Sequence, residues 1–381
     1  MSKTRKAAPI KLSIAIRAWN EEAVIRRTLK SFFQQSLFAE LYQRGERCEI
    51  VCIPNGCTDR TAQIAEEVFA EQKVTHPFAA AFVCCVLEIE EAGRNHTWNA
   101  FVHELSSPRA EFLYLMDSDI IFDRRETLFN LYAALLKNSQ AQIASDRPVK
   151  DVSLKAERTW RDRISLATTE MNGATTGRFS GQLYCIRAEA ARQVYLPKDL
   201  GIDDGFIKAL VCTDGFKQKL NPRRVITVAN ASHIYEAYTS TAELLNNQKR
   251  QMIGQTTVHV LVNYLKVLPL EQKSQLALTL RRKDEQNPEW VKQLVWEHLE
   301  QTRFFWRLFP DALTFRFERW WQMRGLKRLT HFPAAVAGFV LTLIACAQAR
   351  RHFKGGQMHY WPKAMREGIQ KLELPPVPQM P

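Results

Sequence analysis

The feature that most constrains the fold of this chain is a repeated hand-over from apolar, strand-like runs to amphipathic segments of helical period. "KLSIAIRAW" leads into "NEEAVIRRTLKSFFQQS", where Val24, Ile25, Leu29, Phe32 and Phe33 recur at helical spacing. The same succession returns as "CEIVCIPN" then "CTDRTAQIAEEVFAEQ", as "AAFVCCVLEI" then "RNHTWNAFVHEL", and as "FLYLMDSD" then "RRETLFNLYAALLKN". A strand followed by a helix must cross over before it meets its next parallel neighbour, so the repetition predicts an α/β fold with a mostly parallel sheet flanked by helices. With 381 residues and 46% hydrophobic content, the chain can bury a sizeable core and is not of the disordered class.

From about residue 170 the alternation becomes irregular. Residues 9–255 read as the α/β domain, 256–300 as a helical connector that is polar and charged from 272, 301–354 as basic, aromatic and apolar membrane-associated helices, and 355–381 as a tail ending in the Pro-rich "LPPVPQMP". The net charge of +13 is uneven, because residues 301–381 hold thirteen Lys or Arg against four Asp or Glu. Eight cysteines lack a paired metal spacing and lie largely in strand-like runs, so they read as reduced core residues. The N-terminal "MSKTRKAAPIKLSIAI" has no long apolar core or small-residue cleavage site, and a cytoplasmic catalytic domain is expected.

Within this frame, "FLYLMDSDIIFD" sets two carboxylates, Asp117 and Asp119, one residue apart where an apolar strand leaves the core. Ligands gather at the carboxyl ends of strands in open α/β sheets, and paired carboxylates there suit a divalent cation. Alone, the pattern fits an acidic turn equally well.

Four pieces in order carry more information: "RAWNEE" after the first strand, "PNGCTDRT" after the second, "DSD" after the fourth, and "DDG" farther on. Together they resemble the inverting nucleotide-sugar glycosyltransferases of family 2, which have the GT-A fold, a Rossmann-like sheet flanked by helices; the resemblance covers roughly residues 9–255. It implies that the loop Ala18–Glu22 lines the nucleotide pocket, with Glu22 as its acidic residue. Asn20 reads equally as a helix cap, and Glu21 and Glu22 as residues favoured by the helix dipole. Asn55 stands where the family often has Asp; its carbonyl can still accept from a uracil N–H. Asp59 reads chiefly as a cap of the following helix. In "GRNHTWNA" the resemblance gives Arg94 to the diphosphate, for which a guanidinium fork is suited, and Asn99 to the nucleotide side. It gives Asp119 to Mn2+ or Mg2+ and Asp117 to ribose or metal. Asp204 becomes the general base, and Asp203 a contact on the acceptor or diphosphate side. In "NNQKRQMIG" only Arg250 remains of the family's Gln-x-x-Arg-Trp, with Gly254 following; the missing Trp implies addition of one sugar rather than processive synthesis. His233 could be a metal ligand, as in some GT-A enzymes, although a satisfied strand histidine is the reading favoured by its position.

Residues 301–354 admit three readings: a nucleic-acid patch, a membrane element, or a packed helical cap. The uncharged run Pro333–Ala347, bracketed by Lys327 and Arg328 and by Arg350 and Arg351, has no use in nucleic-acid binding. It is marginally short for a span, so an in-plane or re-entrant helix fits at least as well, with the Trp320–Trp321 pair at headgroup level. The expectation is a membrane-associated hexosyltransferase that uses a nucleotide sugar, a UDP-sugar in first place, with a lipid or cell-envelope glycan as hydroxyl acceptor and an anionic membrane surface as partner. The alternatives are a GT-A-like nucleotidyltransferase and a non-catalytic membrane adaptor.

Overall fold

The computed structural model describes residues 9–155, 157, 159, 179–238, 240–302, 315–323 and 325–355. Eight strands form one sheet: β1 (Ile10–Ala18), β2 (Arg47–Pro54), β3 (Phe82–Val86), β4 (Phe112–Asp117), β5 (Ile121–Phe122), β6 (Ile143–Lys150), β7 (Leu183–Arg187) and β8 (Val225–Tyr235). Their order is β3-β2-β1-β4-β7-β6-β8-β5. The four strands β3, β2, β1 and β4 are parallel, as the βα alternation requires. Beyond β4 the sheet is mixed: β7 runs antiparallel to both β4 and β6, β6 and β8 are parallel, and β5 pairs antiparallel with β8. The expectation of a mostly parallel sheet therefore holds for the first half only.

The helices of the first half are α1 (Ile25–Phe33), α2 (Leu37–Arg44), α3 (Thr61–Thr75), α4 (Arg94–Ala100) and α5 (Thr127–Lys137). Strand β1 shows how the two faces are filled. Leu12, Ile14 and Ile16 enter a core with Phe32, Phe33 and Phe38, while Ala15 enters a second core with Trp98, Phe101 and Phe206. Strand β4 repeats this, with Tyr114 and Met116 in the first core and Leu113 and Leu115 in the second. Side chains alternate along a strand, so the next residue of the second set in each strand is Arg17 or Asp117. The parallel register aligns these two directly. Strand period and pairing alone thus set a cation beside an anion where both strands leave the core.

Helix α6 (Ala188–Arg192) follows β7, and α7 (Asp204–Thr213) begins on the "DDG" loop. Helix α8 (Thr241–Lys266) starts from a capping box between Ser240 and Glu243 and runs unbroken across the expected domain boundary at 255. Gly254 lets it pack: a Cβ there would stand 2.1 Å from Ile202, the residue before Asp203. Helices α9 (Leu270–Ser274), α10 (Leu276–Gln286) and α11 (Trp290–Gln301) follow, then α12 (Phe315–Gln322) and α13 (Leu326–Lys354). One face of α13 closes a small core, in which Ala345, Cys346, Ala349 and Phe353 meet Met252, Ile253, Val260 and Val295. Among the described residues, no helix is long and apolar enough to cross a membrane. The spanning alternative for 333–347 is left without support from the described residues. All eight cysteines are free thiols, as expected, with six buried, Cys57 half-buried and Cys85 exposed.

Candidate active site

At the carboxyl edge of β1 and β4, two arginines and two aspartates interlock. Arg17, its side chain 4% exposed, donates from Nη2 to Asp117 Oδ1 at 2.7 Å and to the Gly181 carbonyl at 2.9 Å, and from Nη1 to Asp203 Oδ2 at 3.3 Å. Arg94, at the first position of α4, reaches the same partners: Nη1 to Asp117 Oδ2 at 3.3 Å, Nε to Asp203 Oδ2 at 3.1 Å, and Nη2 to the Gly181 carbonyl at 3.1 Å. Each guanidinium therefore bridges the "DSD" strand and the "DDG" loop, segments more than eighty residues apart in sequence. The planar fork is what permits three acceptors at once.

The adjacent carboxylates of the "DDG" loop are driven in opposite directions. Burial pushes Asp203 up, but Arg94 and Arg17 together outweigh it and hold the group below the ordinary carboxylate range. Asp204 is raised to about 6, first by burial and second by the charge of Asp203. Its Oδ1 accepts from the Gly205 N–H, and it retains partial contact with solvent. A carboxylate poised near 6 is suited to accept a proton near neutral pH. Arg250 on α8 bonds Asn247 Oδ1 at 3.2 Å; burial lowers its pKa, and it shares the electrostatic field of Tyr238, Arg94, Asp204 and Asp203.

On the opposite side of β1, the expected nucleotide residues form a knot of loops. Asn20 is not a helix cap: α1 begins only at Ile25, and Asn20 adopts the left-handed region with φ of 53°. Its Oδ1 accepts from the Thr58 N–H at 2.7 Å, tying the first loop to the "PNGCTDRT" loop. Glu22 accepts from the Arg60 N–H while its own N–H donates to Asp59, so this acid braces the start of α3. Asp59 sits one residue before the helix cap and accepts from the Thr61 N–H. Asn55 is 6% exposed; its amide donates to the Ala18 carbonyl and its oxygen accepts from the Gly93 N–H. These bonds make Asn55 the tie joining β1, β2 and the turn before α4. Asn99, on α4, is buried, with both amide atoms engaged by the main chain of Leu196.

Asp119 lies just past β4, half-buried, beside the buried His233 of β8, on which both Asp119 and Asp117 act electrostatically. Burial pushes His233 down, but Asp146, bonded to Nδ1 at 2.6 Å, outweighs it and the net direction is up. Burial raises Asp146 as well. Among the described residues His233 Nε2 is buried without a hydrogen-bond partner, so they satisfy only half of the histidine. Two carboxylates and an imidazole nitrogen lacking a protein partner are the donor types of a Mn2+ or Mg2+ site. With Asp117 turned to the arginines, no group of three such side chains is assembled to hold a metal among the described residues.

Arg17 and Gly181 are absent from the sequence-derived site. Arg17 carried a readable signal, a cation inside an otherwise apolar strand run; Gly181 contributes a carbonyl, which has no sequence signature.

Residues 13–180 match the model described as Glycosyl transferase family 2. Among solved structures, the mannosyltransferase PcManGT from Pyrobaculum calidifontis, in complex with GDP-Man and Mn2+, is similar with a TM-score of 0.52 at 17% identity, covering 90% of this chain and 87% of that one. TarS 1-349 from S. aureus aligns over 91% of this chain and 92% of its own at 14% identity, with a TM-score of 0.45. Glucosyl-3-phosphoglycerate synthase from Mycobacterium tuberculosis, with Mg2+ and UDP, aligns over 68% and 80% at 16% identity, with a TM-score of 0.43. No curated protein matches by sequence. The first likeness agrees with the GT-A architecture of the sheet, and residues 13–180, the segment that carries Arg17, Arg94, Asp117 and Asp119, are the part of the chain similar to glycosyl transferase family 2.

Proposed function

We propose that the protein transfers one sugar from a nucleoside diphosphate sugar to a hydroxyl acceptor with inversion at the anomeric carbon. One observation carries the reading: Arg17 and Arg94 bind Asp117 and Asp203 at once, so the end of β4 and the start of α7 face a single space. Asp204 Oδ takes the proton of the acceptor hydroxyl as that oxygen attacks the anomeric carbon; the bond to the diphosphate breaks and its electron pair leaves on the β-phosphate oxygen. Asp119, with Asp117 and His233 Nε2, would hold Mn2+ or Mg2+, which supplies charge neutralisation for the departing diphosphate. Arg94 exchanges its carboxylate partners for phosphate oxygens, since the same fork fits either anion. Arg250, facing Asp203 and Asp204, lies on the acceptor or diphosphate side. The loop knot of Ala18, Asn20, Glu22 and Asn55 shapes the nucleotide pocket.

The acceptor we propose is a hydroxyl of a lipid or cell-envelope glycan, reached by a cytoplasmic catalytic domain at a membrane surface. The missing Trp after Arg250 favours a single addition. UDP is the expected nucleotide from the family, and GDP is the one bound by the P. calidifontis relative. Thermal shifts with UDP, GDP and their sugars, each with and without Mn2+, test the donor site, because a ligand that binds only the folded chain raises its melting temperature by mass action. A shift with one nucleotide that grows with Mn2+ supports the assignment. No shift with any of them, in a folded protein, overturns it.

A further inference from the structure

Helix α13 has two unlike faces. Its inner face is buried in the core shared with α8 and α11, through Thr342, Ala345, Cys346, Ala349 and Phe353. Its outer face carries Phe332, Val336, Val340 and Ile344, which are 45%, 38%, 48% and 42% exposed. Residues four apart on a helix share a face, so these four make one apolar ridge about 18 Å long. Toward the C-terminal end the helix becomes basic, and Arg351 and Lys354 are exposed there. At the other end Trp321, 68% exposed, lies under Arg328, whose guanidinium is 4.0 Å from its ring centroid. The sequence of α13 contains five Lys or Arg and no Asp or Glu.

We propose that this outer face docks in the plane of an anionic lipid bilayer. The ridge occupies one face only, the opposite face being buried against α8 and α11, and no helix among the described residues is long and apolar enough to cross a membrane. It matches an interfacial helix, in which an apolar strip enters the headgroup–acyl boundary and basic residues meet anionic headgroups. Trp321 and Arg328 supply the amphipathic pair that favours the same depth. A second copy of this chain fits less well. Apposed ridges would bring like charges together, because α13 has no acid to answer its five cations. Neither contribution suffices alone: the ridge is small, and the charges by themselves are screened by salt. The inference goes beyond the transfer reaction and needs no nucleotide.

Its test is flotation of the full-length chain, without nucleotide, on phosphatidylcholine vesicles with and without phosphatidylglycerol. The mixed vesicles should carry the protein and the neutral ones should carry little. A Val336→Ser, Val340→Ser, Ile344→Ser variant should lose at least about tenfold in apparent partitioning, and Arg351→Gln with Lys354→Gln should weaken binding only at low salt. Nucleotide thermal shifts on the same variants separate the two readings: flotation lost with donor binding kept supports the docking face. Unchanged flotation of the triple variant overturns the inference. So does a full-length chain that stays off mixed vesicles while responding to nucleotide, or a lipid-free dimer in sedimentation that the triple variant converts to a monomer.

Discussion

Replacing Arg17 with Met removes a buried guanidinium while keeping most of the side-chain volume. Three acceptors lose it: Asp117 Oδ1, Asp203 Oδ2 and the Gly181 carbonyl. Stripping one partner from a buried ion pair costs about 3–5 kcal/mol, because the other charge is left in a poorly solvating place. Here Arg94 still reaches Asp117 at 3.3 Å and Asp203 at 3.1 Å, so the stranded charge is shared and the lower end applies, about 3 kcal/mol. Denaturant unfolding without ligands measures this as a lower midpoint. A second readout separates positioning from scaffolding. With Arg17 gone, Asp203 is less neutralised, its charge acts more fully on Asp204, and the acid limb of kcat/KM should move above its wild-type position near 6. An unchanged midpoint would show that the buried pairs carry no stability. A lowered midpoint with an unmoved acid limb would leave Arg17 a structural tie and remove it from the electrostatics of the base.

Asp204→Asn should lower kcat by roughly two to four orders of magnitude with donor affinity nearly unchanged, read by steady-state kinetics alongside nucleotide titration; an equal loss of donor binding would move this residue to the nucleotide site. For the wild-type enzyme, kcat/KM should fall as pH drops through about 6, since protonated Asp204 cannot accept the acceptor's proton. Asp119→Ala should abolish saturable Mn2+ binding in a spectroscopic titration while the ligand-free melting temperature stays within a few degrees, because the residue lies past the strand end. Gly254→Ala should cost about 1–3 kcal/mol and lower kcat more than it raises donor KM, as the new Cβ meets Ile202 and displaces the loop that carries Asp203 and Asp204; wild-type turnover in that variant would show the loop to be tolerant of the shift.

The parallel half of the sheet was legible because each strand there is an apolar run followed by a helix of its own. Strand β7 was not, because "LYCIR" is equally apolar but reverses direction without a hairpin signal, and its partners β4 and β6 are distant in sequence. The acidic pairs were legible for a chemical reason: carboxylates at the end of an apolar run demand an explanation. Arg17 made the same demand, and only its alignment with Asp117 across two parallel strands supplies the answer. Asn99 marks the opposite limit. A buried asparagine and a ligand-binding asparagine look alike in sequence, and the bond that holds this one comes from Leu196, 97 positions away. The apolar run near the C-terminus was visible as a segment, but its division into a buried face and an exposed ridge depends on where α8 and α11 lie.

The two acidic pairs share one division of labour. In each, the first carboxylate, Asp117 or Asp203, is held by Arg17 and Arg94, and the second, Asp119 or Asp204, is the one assigned to the metal or to the proton. Two cations shared between two anions offset much of the negative charge at the edge of the sheet before any substrate arrives, which limits the mutual repulsion of the four carboxylates, with Asp204 still raised. The arrangement also gives the diphosphate a route in. In the proposed reaction the diphosphate would bring negative charge to Arg94 as a divalent ion would bring positive charge to Asp117, so each group that loses a partner would gain another of the same sign as the one lost. Arg17 would still hold Asp203 once Arg94 had turned to the phosphates, and an ionised Asp203 would keep Asp204 at the raised value that the proposed proton transfer uses.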